Sequence, residues 1–469
     1  MSAHRSAPQS ASRRRFLLNG AGLGALTAAS CWDRLGLAGA LAQTAGQQDF
    51  KALVCVFLYG GNDANHMVIP AEPAEYAAYA SVRGPQSQGG LAIDQASLLR
   101  ITPSSLGKTY GLHPNLPDVQ ALFSSGRAAV LVNAGTLLAP LTKQQYSARA
   151  APIPESLFSH SDQQKQWQSA GMDLLTANSG WGGRLAERVA SLNGGSSTPF
   201  MLSLSGSPQF ARGSNNNALT LPTSGSFGLS GFGTSAASRA RFNAVGQILA
   251  LDRENRLVQA AADVSSGAIA SSTAINQILG SNTTPAATAF AGLSSSIALQ
   301  LRQVAKLIEA RATLQHRRQI FFVAMGGYDT HNNQLAALQT LYAQLSPALK
   351  AFYDATVTLG VASQVTAFTL SDFSRTLRPA SGGGTDHAWG GHHFIVGGAV
   401  RGGDFYGRFP SLALAGPDDV SNEGRLLPTT SVDQYAATLA KWFGASDADI
   451  ALIFPNLSRF ATPNLGFLA

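Results

Sequence analysis

The chain has 469 residues, of which 45% are hydrophobic and 13% are charged. Soluble domains usually carry about 25% charged residues, so this composition excludes coiled coils, charged helical bundles and acidic disordered proteins. The net charge of +7 does not indicate nucleic-acid binding, because residues 1–42 hold five arginines against one aspartate and the rest carries only a scattered +3. A protein with many membrane spans is also excluded, because no later run reaches about 20 apolar residues.

The first 42 residues have the order of an export signal. Residues 12–17 read SRRRFL, an apolar stretch covers residues 18–29, and residues 40–42 (ALA) form a cleavage site. This order predicts secretion and cleavage, and the paired arginines before Phe-Leu are typical of the twin-arginine type. We therefore expect the twin-arginine translocase as a partner, a periplasmic or secreted location, and no stable membrane span after cleavage. An uncleaved anchor and lipidation at Cys31 are the alternatives.

Four short apolar runs predict buried parallel strands, at residues 53–59, 128–133, 320–325 and 365–370. Helical patterns follow at residues 299–319, 335–358 and 432–443. Ser431 is placed to cap the last of these helices, and Gly444 to end it. Alternating strands and helices predict one α/β domain over residues 43–469, doubly wound, with a mostly parallel central sheet and helices on both faces.

Residues 191–288 differ in composition from the rest of the predicted domain. They are rich in Ser, Gly, Asn and Thr, as in the run GSNNN at residues 213–217. They contain one helical pattern, at residues 236–258. We interpret this segment as a polar insertion or cap on the α/β domain.

Acidic and histidine side chains follow three of the predicted strands. Asp63 follows the first strand, and Asp329 with His331 follows the third. Asp372 follows the fourth strand, and a glycine-rich loop then adds Asp386, His387, His392 and His393. Ligands of open α/β sheets bind beyond the carboxyl ends of the strands, and Asp with His suits Zn²⁺, Mn²⁺ or a similar ion. The pattern predicts a metal or phosphate-type site; helix-capping aspartates and core histidines are the alternative.

The order of these motifs resembles the alkaline phosphatase/sulfatase superfamily and, more closely, the exported family called domain of unknown function 1501. The resemblance extends over residues 51–468. Its carriers are FLYGGNDANHMVIP (57–70), HPNL (113–116), SHSDQQKQW (159–167), GGYDTHNNQ (326–334), the long motif at 371–410 and DQYAATLAKWFG (433–444). The resemblance implies an alkaline phosphatase-like fold.

The resemblance also implies an activity, the hydrolysis of a small anionic phosphate or sulfate ester with Zn²⁺, Mn²⁺ or Ca²⁺. Matched by position, the expected metal ligands are Asp63, Asp329 with His331, Asp372, and His387 or alternatively His392. The expected nucleophile is Ser159, at the start of a helical pattern over residues 162–170, with Ser156 as the competing choice. Arg375 would contact the anion through two nitrogens, or pair with a surface carboxylate, and Trp389 would stack on substrate or pack internally.

Two departures from the superfamily pattern bear on this expectation. Phe373 stands where the superfamily has a histidine after the strand-ending aspartate, so the second metal site is incomplete or is completed elsewhere, for example by Asp386. No Cys-x-Pro-x-Arg motif is present, which argues against a formylglycine sulfatase. The alternative function is a non-catalytic exported binding or assembly protein on a degenerate hydrolase fold.

Overall fold

The computed structural model describes residues 49–170, 178–194, 196, 198–225, 227–228 and 235–469. The predicted export signal and Cys31 lie outside these residues. Within the described part of the chain, no helix combines the length and the apolar character that a membrane crossing requires.

The described residues form twelve strands, which belong to two sheets. The strands are β1 (Lys51–Leu58), β2 (Val68–Pro70), β3 (Leu99–Ile101), β4 (Tyr110–Leu112), β5 (Ala128–Gly135), β6 (Met201–Ser203), β7 (Leu219–Thr220), β8 (Arg318–Met325), β9 (Val365–Ser371), β10 (Gly391–Gly397), β11 (Phe405–Tyr406) and β12 (Thr430–Ser431). The central sheet has the order β11-β5-β10-β9-β1-β8-β6-β7, and β12 also pairs with β5. The small sheet is antiparallel, in the order β2-β4-β3.

The four predicted strands are β5 and the three adjacent central strands β9, β1 and β8. Seven of the eight β1 residues, and all residues of β5, β8 and β9, are buried, as expected for parallel strands covered on both faces. β1 is parallel to both β8 and β9, whereas β10 is antiparallel to β9 and β5. The prediction of a mostly parallel central sheet is therefore confirmed. Because β10 is reversed, it begins at the edge where β5 and β9 end.

Thirteen α-helices lie within the described residues. They are α1 (Ala64–Met67), α2 (Pro73–Arg83), α3 (Pro117–Ser124), α4 (Lys143–Ala148), α5 (His160–Ser169), α6 (Trp181–Val189), α7 (Ala236–Ile248), α8 (Arg256–Gly280), α9 (Pro285–Thr288), α10 (Ser296–Glu309), α11 (Gln334–Thr358), α12 (Val432–Phe443) and α13 (Asp447–Ile453). The ends of α12 are as predicted, because Ser431 forms a capping box with Gln434 and Gly444 adopts a left-handed conformation.

Two predicted helices end differently in the structure. The pattern over residues 299–319 ends earlier, because α10 stops at Glu309 and Gln315, with a φ of +58°, turns the chain into β8. The pattern over residues 236–258 corresponds to α7 and the start of a second helix, α8. The Asn255 side chain caps α8 by accepting hydrogen bonds from two backbone N–H groups of its first turn.

The polar segment at residues 191–288 contributes to the central sheet as well as to the surface. Its strands β6 and β7 extend the sheet beyond β8, since Met201 pairs with Ile320 and Leu202 with Phe321. Helices α7 and α8 form its more exposed part. Among their exposed apolar side chains, Leu257 is 82% exposed and Ile248 is 64% exposed.

Candidate metal centre

Four side chains meet at the edge of the sheet where β1, β8 and β9 end. Asp329 and His331 follow β8, and His387 lies in the loop between β9 and β10. The fourth, His160, is the first residue of α5. Below, these four residues are called the candidate centre.

In the candidate centre, imidazole nitrogens surround one carboxylate oxygen. The Nε2 atoms of His160, His331 and His387 lie 3.4, 3.1 and 3.5 Å from Oδ1 of Asp329. The Nε2 atoms of His331 and His387 are 2.9 Å apart. Four donors bonded to one ion at about 2.0–2.1 Å in a tetrahedral arrangement are separated by about 3.3 Å. The separations from Asp329 Oδ1 fit this spacing, and the donor atoms of His160, Asp329 and His387 all lie within 4.8 Å of one another, as one ion of the zinc type requires. His331 is not a member of that group but contacts two of its residues, Asp329 and His387.

The buried state of one donor supports this fit. Nε2 of His160 is buried and has no hydrogen-bond partner among the described residues. An unpartnered buried nitrogen is costly, and a metal ion would satisfy it. Burial also lowers the pKa of His387, and the positive charge of Arg375 adds to this effect although the Phe158 carbonyl opposes it. A lowered pKa favours the neutral imidazole that binds metals.

The second ring nitrogen, Nδ1, of each of these histidines has an oxygen partner. The partners are Asp372 Oδ2 for His160 (2.7 Å), the Phe158 carbonyl for His387 (2.7 Å) and Asp386 Oδ1 for His331 (3.3 Å). In His160 and His387, the hydrogen bond from Nδ1 to an oxygen holds the proton on Nδ1, so the lone pair is on Nε2. The contact of His331 with Asp386 is an ion-pair distance. This arrangement is typical of metal-binding histidines.

The backbone before α5 is strained where it meets His387. Ser156 and Phe158 have φ values of +50° and +72°, which are unfavourable for residues other than glycine. The turn places the Phe158 carbonyl against His387 Nδ1. It also places Ser159 directly before the candidate centre, where the Ser159 hydroxyl donates to Asp162 Oδ2 at 2.7 Å. Ser156, the other predicted nucleophile, is exposed.

Arg375 has a different position from the one predicted for an anion contact. It is fully buried and donates to the carbonyls of Gly60 (2.6 Å), Gly61 (3.1 Å) and Thr385 (3.0 Å). It also forms a short ion pair with Asp329, whose side chain is 49% exposed. These contacts direct its donors into the protein, so the predicted alternative, pairing with a surface carboxylate, describes Arg375 better. Arg375 joins the end of β1 to the loops of the candidate centre.

Asp329 stays ionised because of these neighbours. Burial opposes its ionisation, but the hydrogen bond and the positive charge of Arg375 outweigh burial. The net effect lowers the pKa of Asp329. A carboxylate that is charged at neutral pH is the form that binds metal.

Asp63, the first predicted metal ligand, lies in a separate ion pair. It is fully buried, and Arg83 donates to its two oxygens at 2.7 and 2.9 Å. The carboxylate also caps α1 through the Asn65 backbone N–H at 2.9 Å. Burial opposes ionisation of Asp63, but Arg83 and His66 hold its pKa well below the usual value. Among the described hydrogen bonds and ion pairs, Asp63 contacts none of the four residues of the candidate centre, so it does not contribute to that centre.

Two other predicted residues are also engaged elsewhere. His392 is buried in β10, where its Nδ1 accepts from the Asn133 backbone N–H at 3.0 Å, and burial lowers its pKa to about 4. Trp389 is buried and donates to the Thr136 carbonyl at 3.1 Å, which corresponds to the packing alternative. Neither residue has a contact with the candidate centre among those described.

Asp372 and Phe373 lie beside the candidate centre in supporting positions. Asp372 is buried and accepts from His160 and from Gln164 at 2.8 Å. The Phe373 ring packs against the rings of His160 and His387, with centroids 4.8 and 4.7 Å away. Phe373, which departs from the pattern of the superfamily that the sequence resembles, thus packs against two imidazoles of the candidate centre. The close packing requires glycine at position 61, since a Cβ there would lie 2.6 Å from the Phe373 ring.

His160 was missed by the sequence reasoning, although it lies within the quoted motif SHSDQQKQW. The sequence pattern predicts ligands among residues that follow strands. His160 instead begins a helix, and it lies 212 positions before its partner Asp372. The signal was its place directly after the predicted nucleophile Ser159. Among the described residues, His160, Asp329 and His387 form the one group of three or more potential ligands within 4.8 Å. The structure thus offers one centre in this part of the chain.

The sequence matches one known protein family over most of its length. The model of the family described as "Protein of unknown function (DUF1501)" matches residues 50–449, which include the whole candidate centre. No curated protein matches the chain.

Proposed function

The chain belongs to the DUF1501 family, and from its candidate centre we propose that it is an exported, metal-dependent hydrolase of phosphate or sulfate esters. The observation that carries the proposal is the convergence of three imidazole Nε2 atoms on Asp329 Oδ1. The imidazoles of His160 and His387 are held by hydrogen bonds at Nδ1. The position of the centre beyond the ends of parallel strands, where ligands of such sheets bind, supports it. The resemblance to the alkaline phosphatase/sulfatase superfamily supplies the ester chemistry and the proposed alkaline phosphatase-like, doubly wound fold.

The donor set favours Zn²⁺ or another transition ion such as Mn²⁺. Three imidazoles and one carboxylate suit these ions, whereas Ca²⁺ takes six to eight oxygen ligands. When bound, such an ion supplies positive charge for the oxygens of an anionic ester and lowers the pKa of a hydroxyl beside it. The side chains of Asp329 and His331 are 49% and 42% exposed, so we place substrate entry on their side.

Ser159 is the better supported of the two proposed nucleophiles. It precedes His160 in the chain, and its hydroxyl donates to Asp162 Oδ2 at 2.7 Å. In the proposed reaction Asp162 takes the proton from Ser159 Oγ while that oxygen attacks the phosphorus or sulfur atom, and the bond to the leaving alcohol breaks, with a proton from water passing to the alcohol oxygen. A water molecule then attacks the same phosphorus or sulfur atom, the bond to Ser159 Oγ breaks, and Ser159 Oγ regains its proton from Asp162. A base within hydrogen-bond distance is what general-base activation requires. Ser156 has no corresponding carboxylate contact among the described hydrogen bonds.

A second function, metal binding without hydrolysis, is favoured by one observation. If His331 joins the three residues whose donor atoms lie within 4.8 Å of one another, the candidate centre has four protein donors, as in structural zinc sites, whereas catalytic zinc sites usually have three and keep one position open. In that case the protein is an exported binding or assembly protein, the alternative that the sequence also left open.

Export is the part of the proposal that rests on the sequence of residues 1–42. The proposal is that the twin-arginine translocase carries the chain to the periplasm or beyond, and that residues 43–469 form one domain with a polar insertion. A variant with Arg13→Lys and Arg14→Lys is expected to stay in the cytoplasm upon cell fractionation. Unchanged export of this variant would contradict the twin-arginine route.

Metal analysis combined with a substrate screen tests the activity. The mature protein is measured for bound metals, titrated with Zn²⁺ and Mn²⁺, and assayed with phosphate monoesters, phosphate diesters and sulfate esters. Bound metal with hydrolysis supports the hydrolase, bound metal without hydrolysis supports the binding protein, and no metal at all overturns both. His331→Ala should weaken metal binding by about 100-fold, whereas the exposed neighbour Asn332, changed to Ala, is the matched control.

A further inference from the structure

A buried polar network connects the two loops that carry the candidate centre. At its middle is Gln334, the first residue of α11, which is fully buried. Its Oε1 accepts hydrogen bonds from the hydroxyls of Thr330 at 2.9 Å and Thr385 at 2.5 Å. Its Nε2 donates to Asp63 Oδ2 at 2.6 Å. One side chain thus bonds both loops and the buried Asp63 carboxylate.

The two threonines stand beside the proposed ligands. Thr330 lies between Asp329 and His331, and Thr385 lies two residues before His387. The loops also bond directly, since the Thr385 N–H donates to the Thr330 carbonyl at 3.1 Å. Hydrogen bonds to both threonines therefore fix the loop of Asp329 and His331 relative to the loop of His387.

Asp63 sets the orientation of the Gln334 amide. Arg83 keeps Asp63 ionised, and a charged carboxylate is a strong acceptor for the amide nitrogen. With Nε2 directed to Asp63, Oε1 must face the two threonine hydroxyls. Gln334 therefore connects Asp63 and its ion pair, which follow β1, with the loop after β8 that carries Asp329 and His331.

We propose that Gln334, Thr330 and Thr385 are positioning residues that set the metal affinity of the candidate centre. The proposal rests on the metal binding proposed above. Partners that orient metal ligands typically change metal affinity by about 10–100-fold when they are removed. None of the three residues donates an atom to the metal in this proposal; they act through the backbone of Asp329, His331 and His387.

The test replaces each threonine hydroxyl and measures Zn²⁺ affinity. Thr330→Val and Thr385→Val keep the branched shape and remove the donor, whereas Thr330→Ser and Thr385→Ser keep the donor. The Zn²⁺ dissociation constant is measured by competition with a chelator, and thermal unfolding is measured without metal. The valine variants should bind Zn²⁺ about 10–100-fold more weakly, and the serine variants should bind it as the unmodified protein does.

A buried threonine at the other end of the same helix is the matched control. Thr356 lies in α11, is 2% exposed and donates to the Tyr353 carbonyl. Thr356→Val should lower the unfolding temperature without changing Zn²⁺ affinity, so a purely structural loss is recognised. If Thr330→Val does not fold, Thr385→Val and the two serine variants still decide the result. Unchanged affinity in the valine variants would overturn this proposal alone, whereas no Zn²⁺ binding by the unmodified protein would overturn the metal proposal with it.

Discussion

The turns after β1 and β8 share the pattern Gly-Gly-x-Asp, at residues 60–63 and 326–329, but their aspartates have different surroundings. Asp63 is fully buried and held by Arg83, whereas Asp329 is half-exposed and faces three histidines. The two strands are adjacent and parallel, so backbone position does not distinguish the two residues. The difference arises from the side chains that reach each turn from elsewhere. The same strand-end pattern can therefore hold a fold together or offer a ligand.

Removing the partner of Asp63 should have the largest effect on stability. Arg83→Met leaves a buried carboxylate without its cation, which costs about 3–5 kcal/mol of unfolding free energy. Urea unfolding of the two proteins measures this loss. Arg100→Met, at an exposed arginine in β3, is the control and should change stability by less than about 0.5 kcal/mol. A loss below about 1 kcal/mol in Arg83→Met would contradict the structural role given to Asp63.

A third aspartate, Asp433, is buried without a close cation, and it should make the stability of the protein depend on pH. Burial raises the pKa of Asp433 in α12 to about 7, and its Oδ1 has no hydrogen-bond partner among the described residues. Between pH 4 and 7 the folded state keeps a proton that the unfolded state has released, so stability falls as pH rises. A shift from 3.8 to about 7 corresponds to about 4 kcal/mol.

Asp433→Asn should remove this dependence. Urea unfolding at pH 5 and pH 8 is expected to show the loss in the unmodified protein, and a smaller loss in the variant. The variant should be the more stable protein at pH 8, because asparagine does not ionise. If the unfolding free energy changed equally with pH in both proteins, Asp433 would be solvated rather than buried.

Changing the other aspartate of the comparison should lower metal affinity most and stability to a smaller extent. Asp329→Asn keeps an acceptor for the buried Arg375 but removes its countercharge, so the metal-free protein should lose stability, though less than Arg83→Met because the Asp329 side chain is 49% exposed. Structural Zn²⁺ sites have a total binding free energy of about 10–16 kcal/mol, and one of four ligands supplies roughly a quarter of it. The loss of one ligand should therefore lower Zn²⁺ affinity about 100-fold. Titration calorimetry measures this change. The control is Asp354→Asn, in a partly exposed pair with Lys350, and equal affinity in the two variants would exclude Asp329 as a ligand.

The smallest effect is expected at Phe373, which contributes packing to the candidate centre. Phe373→Leu should cost less than about 1.5 kcal/mol in stability. It should weaken Zn²⁺ binding by less than about tenfold, because the ring offers no hydrogen bond. Phe373→His introduces the residue that the alkaline phosphatase/sulfatase superfamily has at the corresponding position. If elemental analysis finds a second Zn²⁺ in that variant, the side chain at position 373 decides whether the site binds one ion or two.

The sequence predicted the features that depend on local pattern. Apolar runs located β1, β5, β8 and β9, and glycine-aspartate turns located Asp329 and His331 beside the site. It did not distinguish Asp63 from Asp329, because Arg83 reaches Asp63 from a separate helix. It did not find His160, whose partners lie far along the chain. The contacts that decide each role are formed only after folding, between segments that show no relation in the sequence.

The reversed direction of β10 has a consequence for the order of events during synthesis. The loop that carries His387 lies at the edge where β8 and β9 end, and β10 begins there. The candidate centre and its supporting contacts therefore join residues as far apart as Phe158 and His387, 229 positions along the chain. A ribosome that has released α5 has not yet made most of the ligands. Contacts of such separation form late in folding. In the proposed metal binding, a partial chain therefore offers no complete site, and the ion would be loaded onto the nearly finished protein.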